Sequence, residues 1–426
     1  MNSVSRKQMD GAVVIVGAGQ AGACAAKTLR DEGFEGRIVL IGEEQHPPYE
    51  RPPLSKALLT GARPEASVML MDRDAACAAS VDLRLATRVL ALDPGRKTVT
   101  LAGGEEVGFD KALLATGLRP KRLPFDDGRF ENVVYLRTLD DARRLRIGLA
   151  EAERVVIAGG GYIGLEVAFS ASKMGCAVTV LESAPEIMMR GVAPEVAAVF
   201  RAIHADEGVR IETGVRIDAF EGRGAVHAVR TADGRRFAAD LVVVGIGAQP
   251  ASELAKAAGL AVADGIVADQ FGRTSHPGIF AVGDAAFHWN ALAGGAMRPE
   301  SWQAAQNQAI NAAVNMCGGN RAYGDVPYFW TEQHGHTLQM LRLGAHHDET
   351  VIRGSLNSRD FAMFQLDHGR IAAAYILDRP RDAAAVRTLM ESAAAVTPTE
   401  LADENTPLKR LAKAKSAQSP VQENAS

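Results

Sequence analysis

The stretch Ala12-Val13-Val14-Ile15-Val16-Gly17-Ala18-Gly19-Gln20-Ala21-Gly22 decides the fold. An apolar run ends in glycines spaced for a tight turn, and a helix-compatible stretch follows. Gly17 permits the turn out of a strand, Gly19 lets backbone approach a pyrophosphate, and Gly22 lets the helix pack on the strand. The helix N-terminus then offers unpaired N–H groups and a positive dipole end to an anion. The pattern returns at Val155-Val156-Ile157-Ala158-Gly159-Gly160-Gly161-Tyr162-Ile163-Gly164. One such turn says little, because glycine-rich turns are common. Two, each leaving an apolar strand, point to two dinucleotides bound by one chain and to electrons passing between them.

Both copies continue alike. An acidic residue roughly 20 residues further on should accept ribose hydroxyls. Glu43 follows Arg37-Ile38-Val39-Leu40-Ile41-Gly42, and Glu182 follows Ala177-Val178-Thr179-Val180-Leu181. Each unit closes on an apolar strand that runs into a small turn. Lys111 to Ala115 leads to Thr116-Gly117, and Asp240 to Val244 leads to Gly245-Ile246-Gly247. Such turns bring backbone close to a cofactor. The chain reads as a duplicated nucleotide-binding module, an internal repeat far longer than a solenoid period.

The fold class expected is α/β: two Rossmann-like dinucleotide-binding domains and a small α+β C-terminal domain. The first domain is discontinuous, 11–124 and 254–325, with the second inserted at 125–253. A composition change near Val326 marks the C-terminal domain, 326–396, and 397–426 reads as a polar tail, disordered past Leu411. A proline-rich insertion, His46 to Lys56, excludes a regular helix or central strand there. Arg84–Leu92 and Lys97–Leu101 read as strands of a small sheet, and Val209–Glu212, Ala225–Val229 and Arg235–Phe237 as a meander. Strands are expected at Tyr328–Gln333, Thr337–Met340, Phe361–Leu366 and Ile371–Leu377, and a helix at Asp382–Ala394.

At 426 residues with 47% hydrophobic and 23% charged residues, the chain has the make-up of an ordinary soluble protein of two to three domains. A net charge of −4 argues against bulk nucleic-acid or anionic-membrane binding. No apolar run is long enough to span a bilayer, and Met1 to Asp10 has no secretory apolar core. The expected location is the cytoplasm, as a monomer or homodimer. Cys24, Cys77, Cys176 and Cys317 are far apart, so neither a metal site nor a disulfide framework is expected. Cys24 and Cys176 read as small buried apolar residues.

Tyr49-Glu50-Arg51-Pro52-Pro53-Leu54-Ser55-Lys56, the two fingerprints, Ala281-Val282-Gly283-Asp284 and Arg298-Pro299-Glu300-Ser301-Trp302 together resemble the FAD- and NADH-dependent ferredoxin reductases of oxygenase systems. The resemblance covers roughly Val13 to Asp382 and implies the glutathione reductase fold. It implies FAD at the first fingerprint, with Ala18, Gln20 and Ala21 around the pyrophosphate and Glu43 on the adenosine ribose. Arg51 and Lys56 would border the cofactor, Lys56 near the reactive edge of the flavin. Val89 would lie at the adenine, Arg137 near the FAD, and Asp284 with Gly283 at the ribityl chain. Trp302 would meet the flavin and Trp330 stack near its ring. NADH would sit at the second fingerprint, with Glu166 near the nicotinamide and paired with Lys56. The Glu182 carboxylate can bond a ribose diol but would repel a 2′-phosphate, so NADH is favoured over NADPH. Against this stands Arg190, whose long side chain could fold back toward a phosphate there.

By the same resemblance, hydride passes from NADH to FAD and single electrons pass to a two-iron two-sulfur ferredoxin, or a rubredoxin. By that resemblance the protein would serve a downstream ring-hydroxylating dioxygenase or cytochrome monooxygenase. Such partners are acidic, and Arg298, His334 and His336 are candidates for a basic docking rim. A small-molecule acceptor or a non-catalytic NADH-sensing flavoprotein are the competing readings. A disulfide or peroxide reductase is disfavoured, because the insertion after Glu43 carries Lys56 and no cysteine.

Overall fold

The structure is a computed structural model that describes residues 11–417. The leader Met1 to Asp10 and the last part of the expected tail lie outside the described residues. The chain folds into two compact units. The first holds residues up to Arg51, Pro64–Arg119 and Ala248–Asp325. The second holds Pro52–Arg63, Pro120–Gly247 and everything from Val326 onward.

The first unit is built on a five-stranded parallel sheet in the order Ile279–Ala281, Lys111–Leu114, Ala12–Val16, Arg37–Ile41, Val81–Arg84. The second unit repeats it in the order Val133–Tyr135, Leu241–Val244, Arg154–Ala158, Ala177–Leu181, Arg210–Glu212. A parallel sheet covered on both faces needs continuously apolar central strands. Val13 to Val16 and Val155 to Ala158 supply them, and all are buried. In each unit the fingerprint leaves the middle strand where the chain order turns back. That switch point is where open α/β sheets hold their ligands.

Each repeat also carries a small antiparallel sheet. It is Val89–Asp93, Thr98–Leu101 and Glu106–Gly108 in the first unit, and Ile217–Arg223, Ala225–Thr231 and Arg236–Ala238 in the second. Two expectations are corrected here. Arg84 and Arg210–Glu212 belong to the edges of the parallel sheets, not to the small sheets. A short edge strand is mixed in polarity, so its pattern does not distinguish it from a meander strand.

By its contacts the segment from Val326 onward, a domain of its own sheet, groups with the second unit, together with Pro52–Arg63. One apolar core explains this: Leu59, Leu165, Ala168, Phe200, Ile203, Leu338, Met340, Phe361 and Tyr375 are buried together. The C-terminal sheet has five antiparallel strands in the order Tyr328–Gln333, His336–Arg342, Arg370–Leu377, Asp360–Asp367, Glu349–Ser355. Glu349–Ser355 went unrecognised because a charge, Arg353, sits on its inward face. That guanidinium is buried and donates to the carbonyls of Leu401, Asp403 and Thr406.

The tail is corrected too. Helices Pro398–Ala402 and Leu408–Ser416 follow Asp382–Glu391, with Leu401, Leu408, Leu411 and Ala412 buried. A capping box at Thr397-Pro398-Thr399-Glu400 was the sequence signal for the first of them. Arg353→Met should leave three carbonyls without their donor and cost about 3 kcal/mol. Denaturant titration with limited proteolysis checks this; unchanged stability and an uncut C-terminus would refute the tie.

Candidate functional site

In the first unit, Gly17 takes φ +114°, and a Cβ there would stand 2.2 Å from the Ala115 carbonyl oxygen. A Cβ on Gly22 would stand 1.9 Å from the Gly17 carbonyl. These two glycines are required by the turn itself. A Cβ on Gly19 would meet no protein atom within 4 Å. Packing therefore does not require a glycine at position 19, and its bare backbone leaves room for a ligand. In the second unit Gly159 takes φ +107°, and Cβ atoms on Gly159 and Gly164 would come within 2.5 and 2.1 Å of carbonyl oxygens, while one on Gly161 would meet nothing. The helices that follow, Gln20–Asp31 and Tyr162–Lys173, have no side-chain cap and no acidic residue in their first turns. Their leading N–H groups face outward as an anion site.

Further groups converge on the first cradle. The Gly283–Ala285 turn lies against it, since a Cβ on Gly283 would be 3.3 Å from Ala21 Cβ. The Gly283 N–H donates to Gln308 Oε1 at 2.9 Å, and Asp284 acts electrostatically on Arg51. Arg51 Nη2 is 2.7 Å from Glu44 Oε1, and Glu44 also accepts from the Tyr49 hydroxyl at 2.5 Å. Trp302 opens helix Trp302–Met316, whose cap is Ser301. That helix packs on Gln20–Asp31. Gln20 donates to Gln306 at 3.2 Å but leaves its own buried Oε1 without a partner. Thr116 donates to the Ala251 carbonyl at 2.6 Å, and Gly117 turns with φ +68°. Val89 begins the small sheet. Glu43 is 64% exposed and 3.7 Å from Arg88. An orphaned buried oxygen, a glycine without packing need and an uncapped helix together fit a dinucleotide. Gly17 to Gly22, Glu43 and the Gly283-Asp284 turn are the groups that would hold FAD.

In the second unit, Glu182 Oε2 accepts from Gly160 N at 2.6 Å and Oε1 from Ala184 N at 2.7 Å. The carboxylate is locked by backbone at the end of its strand. Arg190 reaches toward the Gly247 turn, with Nη1 3.2 Å from where a Cβ would be. Ile163 is exposed. The Tyr162 ring packs against Phe329 at 4.6 Å and its hydroxyl points to Met340 Sδ at 3.2 Å. Burial raises its pKa.

The structure brings Lys56 and Glu166 together. Lys56 Nζ is 2.8 Å from Glu166 Oε1, with side-chain exposures of 12% and 3%. Glu166 also accepts from Ser55 Oγ at 2.5 Å and from Thr331 Oγ1 at 2.7 Å. Ser170 Oγ donates to the Ser55 carbonyl at 2.7 Å and fixes the 3-10 turn Pro52–Ser55. A buried carboxylate is tolerable when each oxygen has donors. Ser55, Thr331, Gln333 and His204 are polar partners that the sequence reading passed over. Ser55 stood inside the quoted string; the others carry no local signal. Trp330 is on the opposite face of its strand from Thr331, stacked at 6.0 Å on Tyr328. The Arg137 N–H donates to Asp141 at the cap of helix Leu139–Glu151.

The expected basic rim is corrected. Arg298 is 10% exposed and neutralised by Asp264 and Glu300. His334 is buried, and His336 is bound to Asp378 at 2.6 Å. The cysteines are unbridged, and burial pushes the Cys24, Cys176 and Cys317 thiols up. Such thiols are poor nucleophiles.

Residues 11–309 match the family described as pyridine nucleotide-disulphide oxidoreductase, and residues 328–412 match a reductase C-terminal family. The chain belongs to the pyridine nucleotide-disulphide oxidoreductases. Members similar to it include the ferredoxin reductase component of chlorobenzene dioxygenase from Cupriavidus sp. (strain PS12). That protein is 41% identical, over 96% of this chain and 99% of its own. Putidaredoxin reductase of Pseudomonas putida is 40% identical over 95% and 98% of the two chains. The crystal structure of the covalent putidaredoxin reductase–putidaredoxin complex superposes with a TM-score of 0.93 at 40% identity, covering 96% and 99% of the two chains. The protein is accordingly an oxidoreductase. Among the described residues no helix is long and apolar enough to cross a membrane.

Desolvation lowers the pKa of both His204 and His334 from 6.5 to about 4. Folded, the imidazoles are neutral; unfolded, they take protons more readily. The unfolded chain binds more protons between pH 6.5 and 4, so stability is lost as pH falls through that window. Thermal melts should show the loss and show it reduced in His204→Gln; equal losses in the two proteins would refute it.

Proposed function

We propose that this protein is an FAD-dependent NADH:ferredoxin oxidoreductase that feeds single electrons to a small two-iron two-sulfur ferredoxin serving an oxygenase, working in the cytoplasm. The observation that carries the reading is the pair of uncapped, glycine-bared helix N-termini on a duplicated sheet, in a chain similar along its whole length to ferredoxin reductases. FAD, when bound, accepts electrons as a pair and releases them singly, which is what joins a nicotinamide to an iron–sulfur partner.

The chain's own residues do the rest. The helix beginning at Gln20 and the bare backbone at Gly19 balance the charge of the FAD pyrophosphate, and Glu43 takes the adenosine ribose. Arg51, held by Glu44, sets positive charge beside Asp284. The helix beginning at Tyr162 takes the pyrophosphate of NADH. Glu182, with both oxygens oriented by backbone, presents acceptors to the ribose diol and repels a 2′-phosphate. Lys56, its ammonium steadied by Glu166, would be the cation that favours negative charge on reduced flavin. No protein nucleophile is required, in keeping with the burial that raises the Cys24, Cys176 and Cys317 thiols.

Anaerobic NADH should bleach the flavin of the holoenzyme, and steady turnover should follow with a two-iron ferredoxin and cytochrome c as final acceptor. Faster turnover with a quinone or dye than with any ferredoxin or rubredoxin would sink the reading. Lys56→Met should keep FAD bound yet slow flavin reduction at least tenfold in stopped flow, the scale expected for losing one preorganised charge. Unchanged kinetics would remove Lys56 from the chemistry. Glu182→Ala should narrow the preference for NADH over NADPH, chiefly through the KM of NADPH; an unaltered ratio would show that another group selects the cofactor.

A further inference from the structure

A row of hydrogen bonds runs within the second unit from the Lys56–Glu166 pair to the surface, and the chemistry above leaves its far end unused. Thr331 Oγ1 donates to Glu166 Oε1 at 2.7 Å, and Gln333 Nε2 donates to Thr331 Oγ1 at 2.9 Å. Gln333 Oε1 is 2.7 Å from His204 Nε2, and His204 Nδ1 is 3.1 Å from His334 Nε2. Thr331, Gln333 and His204 are fully buried. His334 is the last buried member; its Nδ1 looks toward Glu207, 3.8 Å away and exposed.

One arrangement of protons satisfies the whole row. A carboxylate accepts and does not donate, so the Thr331 hydroxyl gives its only proton to Glu166. Thr331 can then only accept. Gln333 must therefore turn its NH2 to Thr331 and its oxygen to His204. His204 must carry its proton on Nε2 and leave Nδ1 bare. His334 must carry a proton on Nε2. All the bond dipoles then point toward Glu166, and each polarises the next. The amide of Gln333 gives up no proton at ordinary pH, so the row orients rather than conducts.

We propose that His204 and His334 are positioning residues: through Gln333 and Thr331 they aim and hold the Glu166 carboxylate that holds Lys56, and they couple that pair to the charge at the His334 end of the row. The inference rests on the reading of Lys56 as the cation that favours reduced flavin. The ionisable groups facing the imidazoles are Glu207, the His336 imidazole bound to Asp378, Lys173 above the Phe169 ring that meets His334, and Asp206 paired with Arg359. Burial keeps both imidazoles neutral near pH 7, so the row is intact there and takes up charge only in acid.

The test uses the FAD-loaded enzyme. Two-bond proton–nitrogen correlation spectra of 15N-histidine protein report the tautomers directly. Stopped-flow reduction by NADH across pH 5 to 9 reports function in wild type, Thr331→Ser, Thr331→Val, His204→Leu and the Thr331→Val/His204→Leu double variant. His204 should show the Nε2–H form. Thr331→Ser, which keeps the hydroxyl, should retain the wild-type profile. Thr331→Val and His204→Leu should move the acid limb in the same direction by about one pH unit, with NADH affinity unchanged. The double variant should move it no further than the larger single change, because the two act through one row. A His204 found as the Nδ1–H form, or a His204→Leu profile identical to wild type, overturns the proposal, and the tautomer decides even if a variant does not fold. If NADH fails to reduce the wild-type flavin, the functional reading falls separately, and the spectra still judge the row.

Discussion

The buried carboxylate of Glu166 constrains the second unit more than any other single group. Almost wholly excluded from water, it must have donors, and they come from two stretches of chain far apart in sequence: Ser55 with Lys56, and the strand that carries Thr331. Removing one partner would strand a charge in an apolar core, a loss far larger than the net worth of any one hydrogen bond. The proline-rich segment is thereby tied to the nucleotide-binding helix and to the C-terminal sheet. Its place with the second unit, though in sequence it lies between stretches of the first, has this ion pair and the burial of Leu59 as its cause.

The two repeats share a frame but differ where it matters chemically. Both use a positive-φ glycine for the turn and a glycine without packing need at the helix start. After the second strand they part. Glu182 follows its strand at once and is gripped by backbone on both oxygens, while Gly42 takes that position in the first unit because Ala18 crowds it. Glu43, one residue later, stays exposed.

The parallel sheets, the two cradles and most of the C-terminal strands were legible because apolar period and glycine spacing are local signals. Edge strands such as Arg210–Glu212 were not, since half-exposed strands of both kinds look alike in sequence. Strand Glu349–Ser355 was hidden by Arg353, whose buried guanidinium donates to carbonyls roughly fifty residues away. The basic rim failed for a related reason. Arg298, His334 and His336 are cations by residue type, but Asp264, Glu300, burial and Asp378 cancel them.

What the sequence by itself determined is a duplicated nucleotide-binding frame and the residue types at each cradle, because backbone conformation, strand burial and ligand approach impose rules on neighbours in the chain. Only the tertiary structure decided the partners of those residues. Whether Glu166 meets solvent or Lys56, whether His334 is a surface cation or a neutral link, and whether Tyr162 faces a cofactor or a core depend on segments brought together by packing. Hydrogen-bond satisfaction and desolvation act across space, and no short stretch of sequence carries their outcome.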